Sequence, residues 1–224
     1  MENTAAAFDA AVTAGAAYVE TDARVTADGT AVLFHDESLL RLSGRREQIA
    51  HLTLQQLQNL TATDGRRFCV PTVAAVLAEF PTTNFNIDIK DARAQSAVLE
   101  AVLAAQAMDR VVVASFSDRI FRAVRAHPVE FHQSAPSMLT LWAFLSIKLR
   151  LYRMARWLLR DCCAVQIPKR IIGLSTITTR VMRGFHAAGV EVHYWTINDP
   201  VVAEMLLLRG ADGLVTDRCD AIRT

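Results

Sequence analysis

The sequence predicts an α/β fold of consecutive strand–helix units, one core strand short of a closed TIM (β/α)8 barrel. Three observations predict it. Strand-like and helix-like runs alternate along all 224 residues without a repeat, a low-complexity tract or a shift in composition, so residues 1–224 read as a single domain. Seven apolar runs read as core strands once a hairpin strand at residues 31–35 is set aside. Seven parallel strands leave two open edges, whereas eight close on themselves. Finally, 52% hydrophobic residues at this length suffice for one sizeable core. The 24 basic and 23 acidic residues nearly cancel, which argues against a disordered chain and against a nucleic-acid-binding one.

Each element has a local reason. Asn3 or Thr4 can cap a helix over residues 5–14, an apolar strand follows at 17–25, and Asp28-Gly29 turns the chain into the strand at 31–35. Residues 54–60 suit a short helix whose Thr53 and Gln56 have capping-box spacing, and residues 72–80 suit another, directly after Pro71. Strand 84–90 is backed by helix 94–107 and strand 110–116 by helix 118–126, while a weaker strand at 129–133 leads into a basic helix. Strands 163–167 and 190–196 flank a helix at 178–188, and helix 199–209 with strand 213–216 completes the series.

Chemistry concentrates in Val19-Glu20-Thr21-Asp22 and Phe34-His35-Asp36. Glu20 and Asp22 lie two residues apart on a strand, so both point to one face, as do Asp88 and Lys90 on theirs. Carboxylate oxygens suit a hard cation such as Mg²⁺ or Ca²⁺. Histidine moves protons near neutral pH. Metal-assisted hydrolysis is the chemistry that these residue types favour. The alternatives are a half-buried strand with solvent-facing acids, or a buried ion-pair network with Lys90 and no metal. His51, His127, His132, His186 and His193 fit no ligand spacing. Cys69, Cys162, Cys163 and Cys219 form no CxxC pattern and read as reduced thiols.

In order and spacing, Glu2-Asn3-Thr4, the run VETDARVTADGTAVLFHDESLLR, and then PTVAAVLAEF, FNIDIK, ASF, YWTIND and GADGLVTD resemble the glycerophosphodiester phosphodiesterase family. The resemblance runs from Glu2 to Asp217. It implies a barrel of the phosphodiesterase type and hydrolysis of a glycerophosphodiester to sn-glycerol 3-phosphate and an alcohol. On this resemblance Glu20, Asp22 and Asp88 match the family's three ligands to a divalent cation, Mg²⁺ or Ca²⁺, with Asp88 standing where Glu is usual. His35 matches the second of two catalytic histidines, and Lys90 a lysine that balances phosphate charge beside the metal. Trp195 matches an aromatic near the glycerol pocket, and Ser115, at the end of another strand, is expected to line the same mouth. Arg41 is expected to brace the loop. Ala74 and Ala75 stand where the family commonly carries Glu.

Family members open with a strand ending in His-Arg-Gly upstream of the Glu-Asn-Thr, whereas Met1 here sits just past that point. The expectation is therefore a barrel lacking its first strand and one catalytic histidine in this chain. That leaves a second function open, a catalytically impaired relic or metal- or ligand-binding barrel of the same family. An unrelated α/β barrel is the third. The oligomeric state stays open.

One stretch is membrane-like, residues 138–160, but its apolar part before Lys148 is too short to span a bilayer. On a helical wheel Arg150, Arg153, Arg156 and Arg160 fall on one side, with Leu151, Met154, Ala155 and Leu158 on the other. The helix at 142–160 is thus expected to bury its leucine side and keep its arginines wet, either as an ordinary surface helix of the barrel or as a point of peripheral contact with an anionic membrane. Glu2 and a helix cap follow Met1, so no signal peptide is expected and a cytoplasmic, membrane-peripheral location is.

Overall fold

The computed structural model describes residues 2–65 and 67–222; Met1, where the signal-peptide reading begins, lies outside them. The chain divides into two compact units, Met1–Val113 with Arg122–Phe131, and Ala114–Phe121 with His132–Thr224.

The first unit is built on strand β1, Tyr18–Val25. A short strand β2, Ala31–Leu33, returns antiparallel beside its end, with Ala23 opposite Leu33 and Val25 opposite Ala31. Strand β3, Asn84–Ile89, pairs with β1 in parallel from Tyr18 opposite Asn84 to Ala23 opposite Ile89. Strand β4, Val111–Ala114, follows on the far side of β3. β1 alternates exposed and buried residues at first, then buries Thr21, Asp22 and Ala23 in succession. Burial on both faces is the mark of a parallel sheet interior.

Helix α1, Ala5–Thr13, is capped by Thr4, whose hydroxyl accepts from the Ala7 amide at 3.3 Å. The alternative cap, Asn3, is employed elsewhere. Helix α2, Val73–Glu79, starts at a Thr72 cap, and α3, Gln95–Ala104, follows β3. Phe8 of α1, Phe80 beyond α2 and Phe85 of β3 pack edge to face, with centroids 5.9–6.4 Å apart. Arg110 closes the end of α2, donating to the carbonyls of Leu77, Phe80 and Thr83 at 2.8–3.1 Å.

Residues after β2 form a separate small core of Val32, Phe34, Leu39, Ile49, Leu52, Leu57, Leu60 and Val70. The expected capping box is there, with the Thr53 amide donating to Gln56 Oε1 at 2.8 Å. Its helix ends at Leu57, because Leu60 pairs with Phe68 in a two-residue ladder. The weaker strand expected at 129–133 shrinks to β5, His132–Gln133. The Val129 amide is taken by His127 Nδ1 at 3.1 Å and is held in a turn.

In the second unit, strands β6, Ala164–Ile167, β7, Glu191–Tyr194, and β8, Gly213–Leu214, run parallel in the order β6-β7-β8. β5 joins β6 through a bridge between Ser134 and Ala164 and through the Cys163 amide, which donates to the Gln133 carbonyl at 2.8 Å. Apart from the β2 return, the described residues thus hold the expected seven core strands. Helix α4, Asp118–Arg125, follows β4, α7, Thr179–Ala188, lies between β6 and β7, and α8, Pro200–Leu208, lies between β7 and β8. A small hairpin of Arg170–Ile171 and Leu174–Ser175, not foreseen, precedes α7. The core includes Phe144, Ile147, Val165, Ile167, Phe185 and Tyr194, whose hydroxyl donates to the Thr176 carbonyl at 3.0 Å. The four cysteines are free.

The basic segment corrects the sequence reading. It forms two helices, α5, Ser137–Lys148, and α6, Tyr152–Leu159, rather than one. Between them Arg150 adopts φ of 64° and the Leu151 amide bonds back to the Ser146 carbonyl, a pattern that ends a helix. A wheel drawn through residues 142–160 therefore loses its phase at the break. Ala155 and Leu159 are the buried residues of α6, whereas Leu151 and Met154, expected inside, are exposed.

Gly184 of α7 is buried against Ile147 of α5, and a Cβ there would run into the Ile147 side chain. Ile147 is itself fully buried and has nowhere to move. Gly184→Val is expected to lower stability by about 1–3 kcal/mol through overpacking, read from the midpoint of urea unfolding.

Candidate active site

β1 and β3 bring the acidic residues together. Parallel register sets Glu20 opposite Asn86 and Asp22 opposite Asp88, while alternation keeps Glu20 and Asp22 on one face. Asp22 and Asp88 are 6% and 5% exposed, so two carboxylates share a buried rung. Lys90 lies between them, with Nζ 2.9 Å from Asp22 Oδ1 and 2.5 Å from Asp88 Oδ2. Glu20, nearer the start of β1, is exposed.

Burial pushes the Asp88 carboxyl above its usual range, against the hydrogen bond and charge of Lys90, and the Asp22 charge adds to the push. Burial pulls Lys90 down, but its hydrogen bonds and attraction to Asp88 and Asp22 outweigh this, so the ammonium holds its proton above the usual range. Two anions around one cation leave the cluster with unbalanced negative charge.

A second group of bonds fixes His35. Its Nδ1 lies 2.9 Å from Asp36 Oδ1, and Arg24 of β1 donates to its carbonyl through Nε at 3.0 Å and Nη2 at 2.9 Å. Asp36 in turn accepts from Arg41 Nε at 2.5 Å, and Arg41 pairs with Glu2. Burial raises the Asp36 carboxyl, but hydrogen bonds from His35 and Arg41 prevail and hold it below the usual range. Of the two ring nitrogens of His35, it is Nδ1 that Asp36 engages. Arg41 braces the loop.

Sequence reasoning missed two positioning residues. Asn3 was weighed as a helix cap. Instead its Nδ2 donates to Asp22 Oδ2 at 3.0 Å, while its Oδ1 accepts from the Asp22 amide at 3.2 Å and from the Thr21 hydroxyl. The available signal was the Glu-Asn-Thr triplet, two residues of which now support the site. Arg24 carried no signal beyond its place in the run that follows Asp22.

Among the described residues no three His, Cys, Asp or Glu side chains gather as a metal cage, and Lys90 bridges Asp22 and Asp88, two of the three carboxylates expected to hold a cation. The donors nevertheless suit a hard cation. Asp88 Oδ1 is buried and accepts no hydrogen bond among the described residues, an anionic oxygen that a cation would satisfy.

Ser115 and Trp195 belong to the second unit. Ser115 Oγ accepts from the Ser117 amide at 3.2 Å. The Trp195 ring meets exposed Phe116 edge to face at 5.7 Å, and its Nε1 is buried with no acceptor among the described residues. His186 and His193 pair with Asp212 and Glu191 at 2.8 and 2.9 Å, in structural roles.

A sequence profile of the glycerophosphoryl diester phosphodiesterase family matches residues 1–221. The "Probable glycerophosphodiester phosphodiesterase 2" of Mycobacterium tuberculosis is 35% identical over 222 residues, 99% of this chain and 83% of that protein. The crystal structure of a glycerophosphodiester phosphodiesterase from Thermotoga maritima superposes with a TM-score of 0.75 at 27% identity, covering 98% of this chain and 90% of that one. An Oleispira antarctica phosphodiesterase, solved with the product sn-glycerol-3-phosphate, gives a TM-score of 0.77 at 21% identity over 97% of this chain and 87% of that one. Fold and matched sequence define a phosphodiesterase on a TIM-type β/α barrel. The chain belongs to the glycerophosphoryl diester phosphodiesterase family, and so to the phosphoric diester hydrolases.

Lys90→Met is expected to strand two buried carboxylates and to lower stability at neutral pH by about 3–5 kcal/mol. The folded value of Asp88 is raised, so on acidification the folded chain takes up its proton before the unfolded chain does. The deficit of the variant should therefore shrink as the pH falls towards the ordinary carboxylate value near about 4. Urea unfolding of both proteins across that window measures it, and a deficit independent of pH would contradict the assignment.

Proposed function

We propose that this chain hydrolyses glycerophosphodiesters to sn-glycerol 3-phosphate and an alcohol with the help of Mg²⁺ or Ca²⁺. The observation that supports the reading most is the buried Asp22–Lys90–Asp88 cluster, with His35 tied to Asp36 beside it. The product bound to the Oleispira antarctica relative supports the substrate class.

Glu20, Asp22 and Asp88 are the residues to hold the cation, with Asp88 Oδ1 the oxygen best prepared for it. When bound, the cation supplies Lewis acidity toward the phosphoryl oxygens. Lys90 places an ammonium, protonated by virtue of its two partners, where negative charge builds on phosphate. His35 presents Nε2 to the ester oxygen while Asp36 fixes the ring through Nδ1. In the net reaction the P–O bond to the alcohol breaks, hydroxyl from water ends on phosphorus, and the proton ends on the departing oxygen. On the second unit, the buried Trp195 indole N–H is a donor for a substrate oxygen, with Ser115 a second substrate contact.

A second reading is a barrel of the same family that binds a cation or ligand with little turnover. It is supported by Lys90, which already pairs with Asp22 and Asp88, two of the proposed cation ligands.

Release of glycerol 3-phosphate from glycerophosphocholine is expected to stop with a chelator and to return with Mg²⁺ or Ca²⁺. His35→Ala should lower kcat by about 10²–10⁴ with little change in KM. Glu20→Ala should raise the cation concentration required. Turnover indifferent to chelation and to both substitutions would sink the first reading, whereas a Tm raised by cation without product release would select the second.

A further inference from the structure

The outer side of α5 and α6 carries an exposed apolar group that the hydrolytic site does not use. Trp142, Leu149, Leu151, Tyr152, Met154 and Trp157 are each 41–70% exposed within a span of sixteen residues. Single exposed apolar residues are ordinary, but such a concentration marks a surface that meets something. On α6 the buried residues are Ala155 and Leu159, so Trp157 projects from the opposite side of the helix, between Arg153 and Arg160. The Arg160 guanidinium lies 4.9 Å from the centre of the Trp157 ring and donates to the Trp157 carbonyl at 2.8 Å. Lys148, Arg150, Arg153, Arg156 and Arg160 put five cations in residues 137–160, where Asp and Glu are absent from the sequence, and Arg160 also pairs with Asp161 just beyond at 3.3 Å.

We propose that this face docks on an anionic phospholipid surface, with Trp157, Trp142 and Leu149 entering the headgroup region and the flanking arginines and lysine meeting lipid phosphates. The mix of exposed indole and aliphatic groups with basic ones along two consecutive helices is what an interfacial segment requires. Charge decides against a second copy of the chain. An isologous contact would set Lys148, Arg150, Arg153 and Arg156 against their own equivalents, with Asp161, already engaged by Arg160, the nearest carboxylate in the sequence. No helix among the described residues is long and apolar enough to cross a membrane, so the contact is peripheral.

Sedimentation of the full chain with phosphatidylcholine vesicles, with and without phosphatidylglycerol, tests the proposal. The chain should pellet with the phosphatidylglycerol vesicles at low salt, its tryptophan emission shifting to the blue, and should release at high salt. Neutralising Arg153→Gln together with Arg156→Gln should weaken partition by about 25-fold, at roughly fivefold per charge near an anionic surface. Trp157→Ala should weaken it several-fold with an unchanged circular dichroism spectrum, since its side chain is 59% exposed and leaves no cavity. Absence of binding to phosphatidylglycerol vesicles at low salt would overturn the proposal. So would binding that ignores all three substitutions, or a dimer in sedimentation velocity that Trp157→Ala dissolves while vesicles stay unbound.

Discussion

The site rests on one ammonium shared by two carboxylates. β1 and β3 can pair in their register only by setting Asp22 against Asp88, because neighbouring strands stand about 4.8 Å apart. Two buried anions at that spacing oppose the pairing that creates them. Lys90 resolves the conflict from within β3, where its place two residues beyond Asp88 returns it to the same face. Strand register and charge balance are thus one constraint. A one-residue slip would turn Asp22 away from Asp88 and leave Lys90 between unmatched partners.

The histidine is held by a different device. His35 stands at the end of the β2 excursion, on a loop that would be mobile without support. Its carbonyl is gripped by Arg24 on β1, and its ring is fixed through Asp36, Arg41 and Glu2. Beneath it, the small core from Val32 to Val70 gives the loop an apolar base of its own. A rigid strand carries the acids and a buttressed loop carries the histidine, so the two are positioned by separate structural elements.

Much of this was legible in the sequence where local rules act alone. The seven core strands, the Thr53–Gln56 box and the shared faces of Glu20 with Asp22 and of Asp88 with Lys90 follow from spacing and capping chemistry. The metal-ligand assignment came instead from family likeness, and the Lys90 bridge shows that the same residues also satisfy one another by an ion pair. What stayed hidden depends on distant partners. Asn3 reaches across eighteen and nineteen positions to Thr21 and Asp22, and no local pattern announces it. The break at Arg150 was invisible because residues 142–160 look continuous on a wheel, while the Leu151 amide chose Ser146 instead of prolonging the helix.

Asn3 also has a bearing on the chemical ageing of the protein. Its carboxamide spends both ends on the site, Nδ2 on Asp22 Oδ2 and Oδ1 on the Asp22 amide. Deamidation would exchange that nitrogen for an oxygen, so a donor would become a second anion facing Asp22 across a gap that is now a 3.0 Å hydrogen bond. Lys90 would then have three carboxylates to balance. Asparagine is among the more heat-labile residues, and here its burial within these bonds is also what shields the amide from hydrolysis. The bonds that shape the acid pair therefore protect the residue that makes them.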